Sequence, residues 1–164
     1  MKFSNKSQFI RVRWRNMKES YRLDGKELPV IPTPPDCVVK EVWLEGRNLV
    51  FAFEDDISVH DAICVQERGA KSLIMTFHLL SDAYDIMLLQ WKKSPVSRLF
   101  HRPGVYKEID IQNNPERLTA LASGSPEYLC HNVGYCSIIV KLWSRGGIIM
   151  DIAADRVELD WVCS

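Results

Sequence analysis

The chain has 164 residues, 46% of them apolar and 26% charged, with equal numbers of basic and acidic side chains. A single domain of this size hides roughly 70% of its unfolded surface, and the composition excludes collagen-like, low-complexity and disordered chains. The zero net charge removes any global attraction to nucleic acid, yet it is unevenly spread: +5 over residues 1–35, −6 over 36–67, +4 over 91–108 and −3 over 109–164.

The first residues, Met1 to Lys6, lead into Arg-rich sequence and not into an apolar segment, so no secretory signal is expected. Five cysteines (Cys37, Cys64, Cys130, Cys136, Cys163) stand at no tight spacing. An odd, dispersed set without a signal points to reduced thiols in a cytoplasm, each packed as a small hydrophobe.

Gln8–Arg15 alternates Ile10, Val12 and Trp14 with Arg11, Arg13 and Arg15, a half-buried strand by period. Asn16–Leu23 is compatible with a short amphipathic helix ended by Asp24-Gly25. Leu28–Pro35 holds four prolines and reads as an extended connection, a hinge between a basic N-terminal arm (1–35) and a β-rich body (36–164) of one domain. Cys37–Leu44 and Leu49–Glu54, joined by Glu45-Gly46-Arg47-Asn48, form a hairpin. Ile57, Val59, Asp61, Ile63 and Val65 make a weaker third run, closed by Arg68-Gly69.

Ser72–Trp91 is the most apolar window and contains no Gly or Pro. It is too short and interrupted to span a membrane, and reads as a central hairpin turning at Ser81-Asp82-Ala83. A helix over Ser81–Lys93, capped by Ser81, is the alternative; the flanking strands favour the extended reading. Val105–Ile111 follows as a short strand. Asn114-Pro115-Glu116 starts a helix facing the core through Leu118 and Leu121. Ser125-Pro126-Glu127 repeats that signal, predicting a second helix up to Gly134. Ser137–Trp143 and Ile148–Ile152 form a hairpin about Ser144–Gly147, and Arg156–Val162 is the last strand. The expectation is a β-dominated α+β domain: an antiparallel meander curled into a sandwich or half-barrel, with one or two short helices.

No phosphate-binding Gly loop, dinucleotide fingerprint or nucleophile elbow is present. Cys130-His131 with Cys136 lacks a fourth ligand and a zinc spacing. His60 and Asp61 fall on opposite faces of a strand. Neither metal nor cofactor is expected, and nothing local joins a Cys or Ser to a His, so no catalytic residue is assigned. His78, in the middle of the most apolar run, is the side chain to follow, together with Gln90. Arg11, Arg13 and Arg15 are the candidate nucleic-acid contacts, with Lys92, Lys93, Arg98, His101 and Arg102 a second basic segment.

The run Pro35-Asp36-Cys37-Val38-Val39-Lys40-Glu41-Val42, then Leu49-Val50-Phe51-Ala52-Phe53-Glu54-Asp55, resembles the opening of many small bacterial β-proteins. Ser137–Val140 followed by Ile148–Glu158 resembles their closing hairpin. Such domains include immunity proteins that neutralise polymorphic toxins, among them those of contact-dependent growth inhibition systems. The resemblance covers about a third of the chain and carries over no individual residue. It implies a non-enzymatic, cytoplasmic inhibitor whose partner is a cognate protein toxin, with no membrane partner. Toxins that cut nucleic acid present basic clefts, and the matching surface is the acidic hairpin of Glu45, Glu54, Asp55, Asp56 and Asp61. The alternative is a nucleic-acid-binding β-domain using the N-terminal arginines.

Overall fold

In the computed structural model, which describes residues 15–163, the chain forms one antiparallel sheet of nine strands, not closed into a barrel. The strands are β1 (Arg15–Arg22), β2 (Val39–Glu45), β3 (Asn48–Phe53), β4 (Ala70–Leu79), β5 (Ile86–Lys92), β6 (Val105–Ile109), β7 (Glu127–Gly134), β8 (Ser137–Trp143) and β9 (Gly147–Cys163). Three short helices lie between them: α1 (Ile63–Arg68), α2 (Pro95–Leu99) and α3 (Glu116–Ala122). The β-dominated α+β class read from the alternation is the class observed.

The sheet assembles on β9. Its second half pairs with β1 and β4, and its first half with β5 and β8. The buried side changes phase midway: Ile148, Met150, Ile152 and Ala154 point inward, then Val157, Leu159, Trp161 and Cys163. Opposite β4, Arg156 faces His78 and Ala154 faces Leu79, so Asp155 is an extra residue in β9. That β-bulge keeps both apolar sets on the core side, because an unbulged strand would turn one of them to solvent. The same phase break makes Ile148–Ile152 and Arg156–Val162 read as two strands; they belong to one strand of 17 residues.

The Ser72–Trp91 window is strand on both sides of its turn, but it is not a hairpin. β4 and β5 each run antiparallel to β9, one along its second half and one along its first. The chain therefore continues in one direction through Ala83–Asp85, a 3-10 turn capped by Asp82, whose carboxylate accepts from Tyr84 N–H at 2.9 Å.

Three further expectations are corrected. Asn16–Leu23 is strand, because Met17, Glu19, Tyr21 and Leu23 turn inward at period two and the segment pairs with β9 throughout. Ile57–Val65 is not strand: Asp56 caps a 3-10 turn over Ile57–Val59, and α1 follows, closed by Gly69 at φ 58°. Glu127–Gly134 is strand and not helix, since its full length pairs with β8 across a bulge near Tyr128. The Gln8–Arg15 strand lies outside the described residues except at Arg15, where β1 begins.

The two halves of the sheet curl around Phe51, Phe77, Tyr128 and Trp161, all fully buried. The edges β2 and β7 approach in a single bridge, Val38 to Glu127, supported by Tyr128 N–H to Cys37 O at 2.9 Å. Leu118 of α3 enters the core, as its spacing predicts, and Thr119 Oγ1 of the same helix reaches Val42 O of β2 at 3.5 Å.

Candidate functional site

An open groove of about 720 Å³ lies between the proline-rich connection and α1. Proline removes N–H donors and holds φ near the extended range, so residues 28–35 cannot join the sheet and run over its surface. Their position is nevertheless fixed. Ile31 is 4% exposed, and Thr33 O accepts from Cys64 Sγ at 3.1 Å. His131 provides the second anchor. Its Nε2 lies 3.1 Å from Ile31 O, and a carbonyl only accepts, so Nε2 carries the hydrogen. Nδ1 then accepts from the Tyr128 hydroxyl at 2.8 Å. Burial holds the His131 pKa below its usual value, which keeps this neutral tautomer.

The opposite wall, α1, is clamped from beneath. Arg68 donates through Nε and Nη2 to Glu19 Oε1 at 3.0 and 2.9 Å, and its guanidinium sits 5.0 Å over the Trp161 ring. Glu19 Oε2 accepts from Tyr21 at 2.9 Å and from Trp161 Nε1 at 3.2 Å. Burial alone pushes the Glu19 pKa up, but the bonds from Arg68, Tyr21 and Trp161 outweigh it and hold the carboxyl below its ordinary value. Tyr21 is pushed up to about 12 by burial and by Glu19. One carboxylate thus ties β1, β9 and α1 together.

The groove surface is mixed. Val30 is 92% exposed and Ile63 is 74% exposed, and Asp36, Asp61 and Glu67 stand among the lining residues. Among the described residues the one cation in that lining, Arg68, is committed to Glu19. An apolar floor beside three carboxylates suits a partner that brings a basic, partly apolar protrusion.

Of the five acids expected to act together, only Asp61 reaches the groove. Glu54 Oε1 accepts from Val38 N–H at 2.9 Å and pairs with His60 Nε2 at 2.5 Å. Asp55 lies 2.9 Å from Lys40 Nζ, and Asp56 accepts from Ser58 and faces Lys71 at 3.6 Å. Glu45 sits at the turn of the β2–β3 hairpin, at the other end of β3 from Glu54. Asp36 and Glu67 were not singled out from sequence. The strand reading of Ile57–Val65 hides the face of α1, where Ile63 and Glu67 are four residues apart and stack on one side. Arg11 and Arg13 lie outside the described residues; the backbone of Arg15 pairs with Cys163.

His78 and Gln90 do not converge. His78 lies across the sheet from Arg156, with Nε2 at 3.3 Å from Glu158 but outside hydrogen-bond geometry. Gln90 lines a separate hollow with Leu88, Ile109 and Arg117. Cys37 and Cys64 are buried thiols: burial pushes Cys37 up to about 12 and Cys64 in the same direction. Both ring nitrogens of His131 are used, so it has no lone pair to share with Cys130 or Cys136. No group of three or more His, Cys, Asp or Glu side chains is placed to hold a metal ion among the described residues. Compared with known proteins, the chain matches no family model, no curated protein and no solved structure.

Proposed function

We propose that this is a non-enzymatic binding protein of the immunity type, which neutralises a partner protein by taking a basic, partly apolar protrusion of it into the groove between residues 30–36 and α1. The observation that carries the reading is the groove's combination of exposed Val30 and Ile63 with Asp36, Asp61 and Glu67, its only cation among the described residues being already paired. Two rigid walls favour it as well, since a preformed surface loses little ordering entropy on docking. The acidic hairpin contributes through Asp61; Glu54, Asp55 and Asp56 hold their own loop.

The test is inhibition of the toxin encoded beside this protein, followed by titration calorimetry. Ile63→Asp and the pair Asp61→Lys with Glu67→Lys are expected to weaken binding at least about tenfold each, the scale of an interface hot spot. Glu45→Lys serves as the control and leaves affinity unchanged. Full inhibition by the groove variants refutes the assignment of the surface, and no binding by the unaltered protein refutes the immunity reading itself.

A further inference from the structure

The segment between β5 and β6 carries a different chemistry. Ser94 caps α2, its Oγ accepting from Ser97 N–H at 3.1 Å, and Pro95 opens the helix. The resulting turn places Val96, Leu99 and Phe100 at positions i, i+3 and i+4, on one side. They are 59%, 75% and 65% exposed, and no residue of α2 is buried. Around this apolar knuckle stand Lys92, Lys93, Arg98 and Arg102, all exposed, and no acid occurs between Asp85 and Glu108.

The stem under the knuckle is firmly packed. Trp91 and Tyr106 meet edge to face at 5.3 Å, and Gly104 lies so close that a Cβ there would come within 2.7 Å of the Trp91 ring. Three large apolar side chains are thus held outward on a fixed stem by a neighbourhood of cations. The groove acids on and beside α1, Asp61 and Glu67, lie elsewhere: α1 leads into β4, which starts opposite Cys163, whereas α2 follows β5, which ends past Ile148. Those positions are separated by about 50 Å of β9 contour.

We propose that this tip docks on an anionic phospholipid surface, with Val96, Leu99 and Phe100 entering the headgroup–acyl boundary and the flanking cations meeting lipid phosphates. Charge complementarity selects an anionic partner, and the apolar knuckle selects a bilayer among anionic partners. Nucleic acid uses cations and aromatic stacking, which leaves exposed Val96 and Leu99 without a role. An apolar insertion combined with a basic patch is the two-signal arrangement that makes peripheral attachment stable. Such docking requires no spanning segment, and no helix among the described residues is long and apolar enough to cross a membrane. The proposal replaces the expectation from sequence that the protein has no membrane partner, and it is independent of the groove.

Flotation of the full chain with vesicles of phosphatidylcholine, with and without phosphatidylglycerol, tests it. The protein is expected to float with the anionic vesicles and remain behind with the neutral ones. Each Lys→Gln change at Lys92 or Lys93 is expected to weaken partition about fivefold, the scale of one cation at a charged surface. The pair Leu99→Ser with Phe100→Ser is expected to abolish flotation while circular dichroism stays unchanged, since both side chains are exposed. Failure to float with anionic vesicles overturns the proposal. So does flotation that survives the Leu99/Phe100 pair, or tight single-stranded RNA binding that the lysine variants remove and the Leu99/Phe100 pair does not.

Discussion

The two ends of β9 support opposite surfaces by opposite means. At the Cys163 end, α1 is held by a half-buried network in which Glu19 accepts from Arg68, Tyr21 and Trp161. At the Gly147 end, α2 has no buried residue and stands on a stem of aromatic rings packed against glycines. The first surface is a concave groove with carboxylates; the second is a convex apolar tip among cations. A concave surface needs both walls placed by long-range contacts. A tip needs only a local turn and a stem, so its side chains remain free to meet something outside the molecule.

Trp161→Ala tests the contrast with the largest effect. It empties a fully buried site under α1 and removes the indole donor to Glu19, so a loss of about 3–5 kcal/mol is expected in urea unfolding. Trp143→Ala, at the β8–β9 turn, is expected to cost less than half as much because that residue is 53% exposed and its removal leaves no enclosed cavity. Equal losses would erase the distinction between the two ends.

Glu19→Gln comes next. It leaves Arg68 without its charged acceptor and is expected to destabilise by about 1.5–3 kcal/mol, the scale of hydrogen bonds to charged groups. The pH dependence has a definite sign. The folded-state pKa of Glu19 is depressed, so its stabilisation is present above the ordinary carboxylate value of 4.5 and is lost as pH falls through the lower folded value. The variant should lack that acid limb; an unchanged pH profile would show that the network does not hold α1.

His131 gives the smallest effect, and again at the groove end. Its folded pKa lies below the ordinary 6.5, so the neutral form is stabilised in the fold. Its contribution is complete above 6.5 and declines as pH falls through the folded value, where a proton on Nδ1 displaces the Tyr128 hydrogen bond. Amide protection factors at Val30, Ile31, Thr33 and Asp36, corrected for intrinsic exchange, are expected to fall on mild acidification, and to be already low and pH-flat in His131→Asn. Equal acid sensitivity of residues 94–102 would break the comparison.

Much of this fold was legible locally. Alternation located β2, β3, β8 and both apolar sets of β9, and the Asn114-Pro115 signal located α3. The errors share a cause. Ser125-Pro126-Glu127 carries a helix-start signal, but Tyr128 and Val133 had core positions to fill beside β8, and tertiary pairing overrode it. Asp155 breaks the period of β9 by one residue, and a period alone does not distinguish a bulge from a strand end. For the candidate site, Asp61 was legible as one acid in a run of acids, whereas Asp36 and Glu67 had no local mark.

By itself the sequence determined the class of fold, the division into an acidic stretch and a basic one, and the apolar residues that must be covered, because these follow from composition and short-range period. Tertiary structure alone decided which acids are free. Glu54, Asp55 and Asp56 meet His60, Lys40 and Lys71 locally, while Asp61 joins Asp36 across the groove. It also decided that Ser72–Trp91 runs on along β9 and does not turn back. Strand partners are chosen by which edges remain unpaired after the chain has curled, and that information is spread over the whole chain.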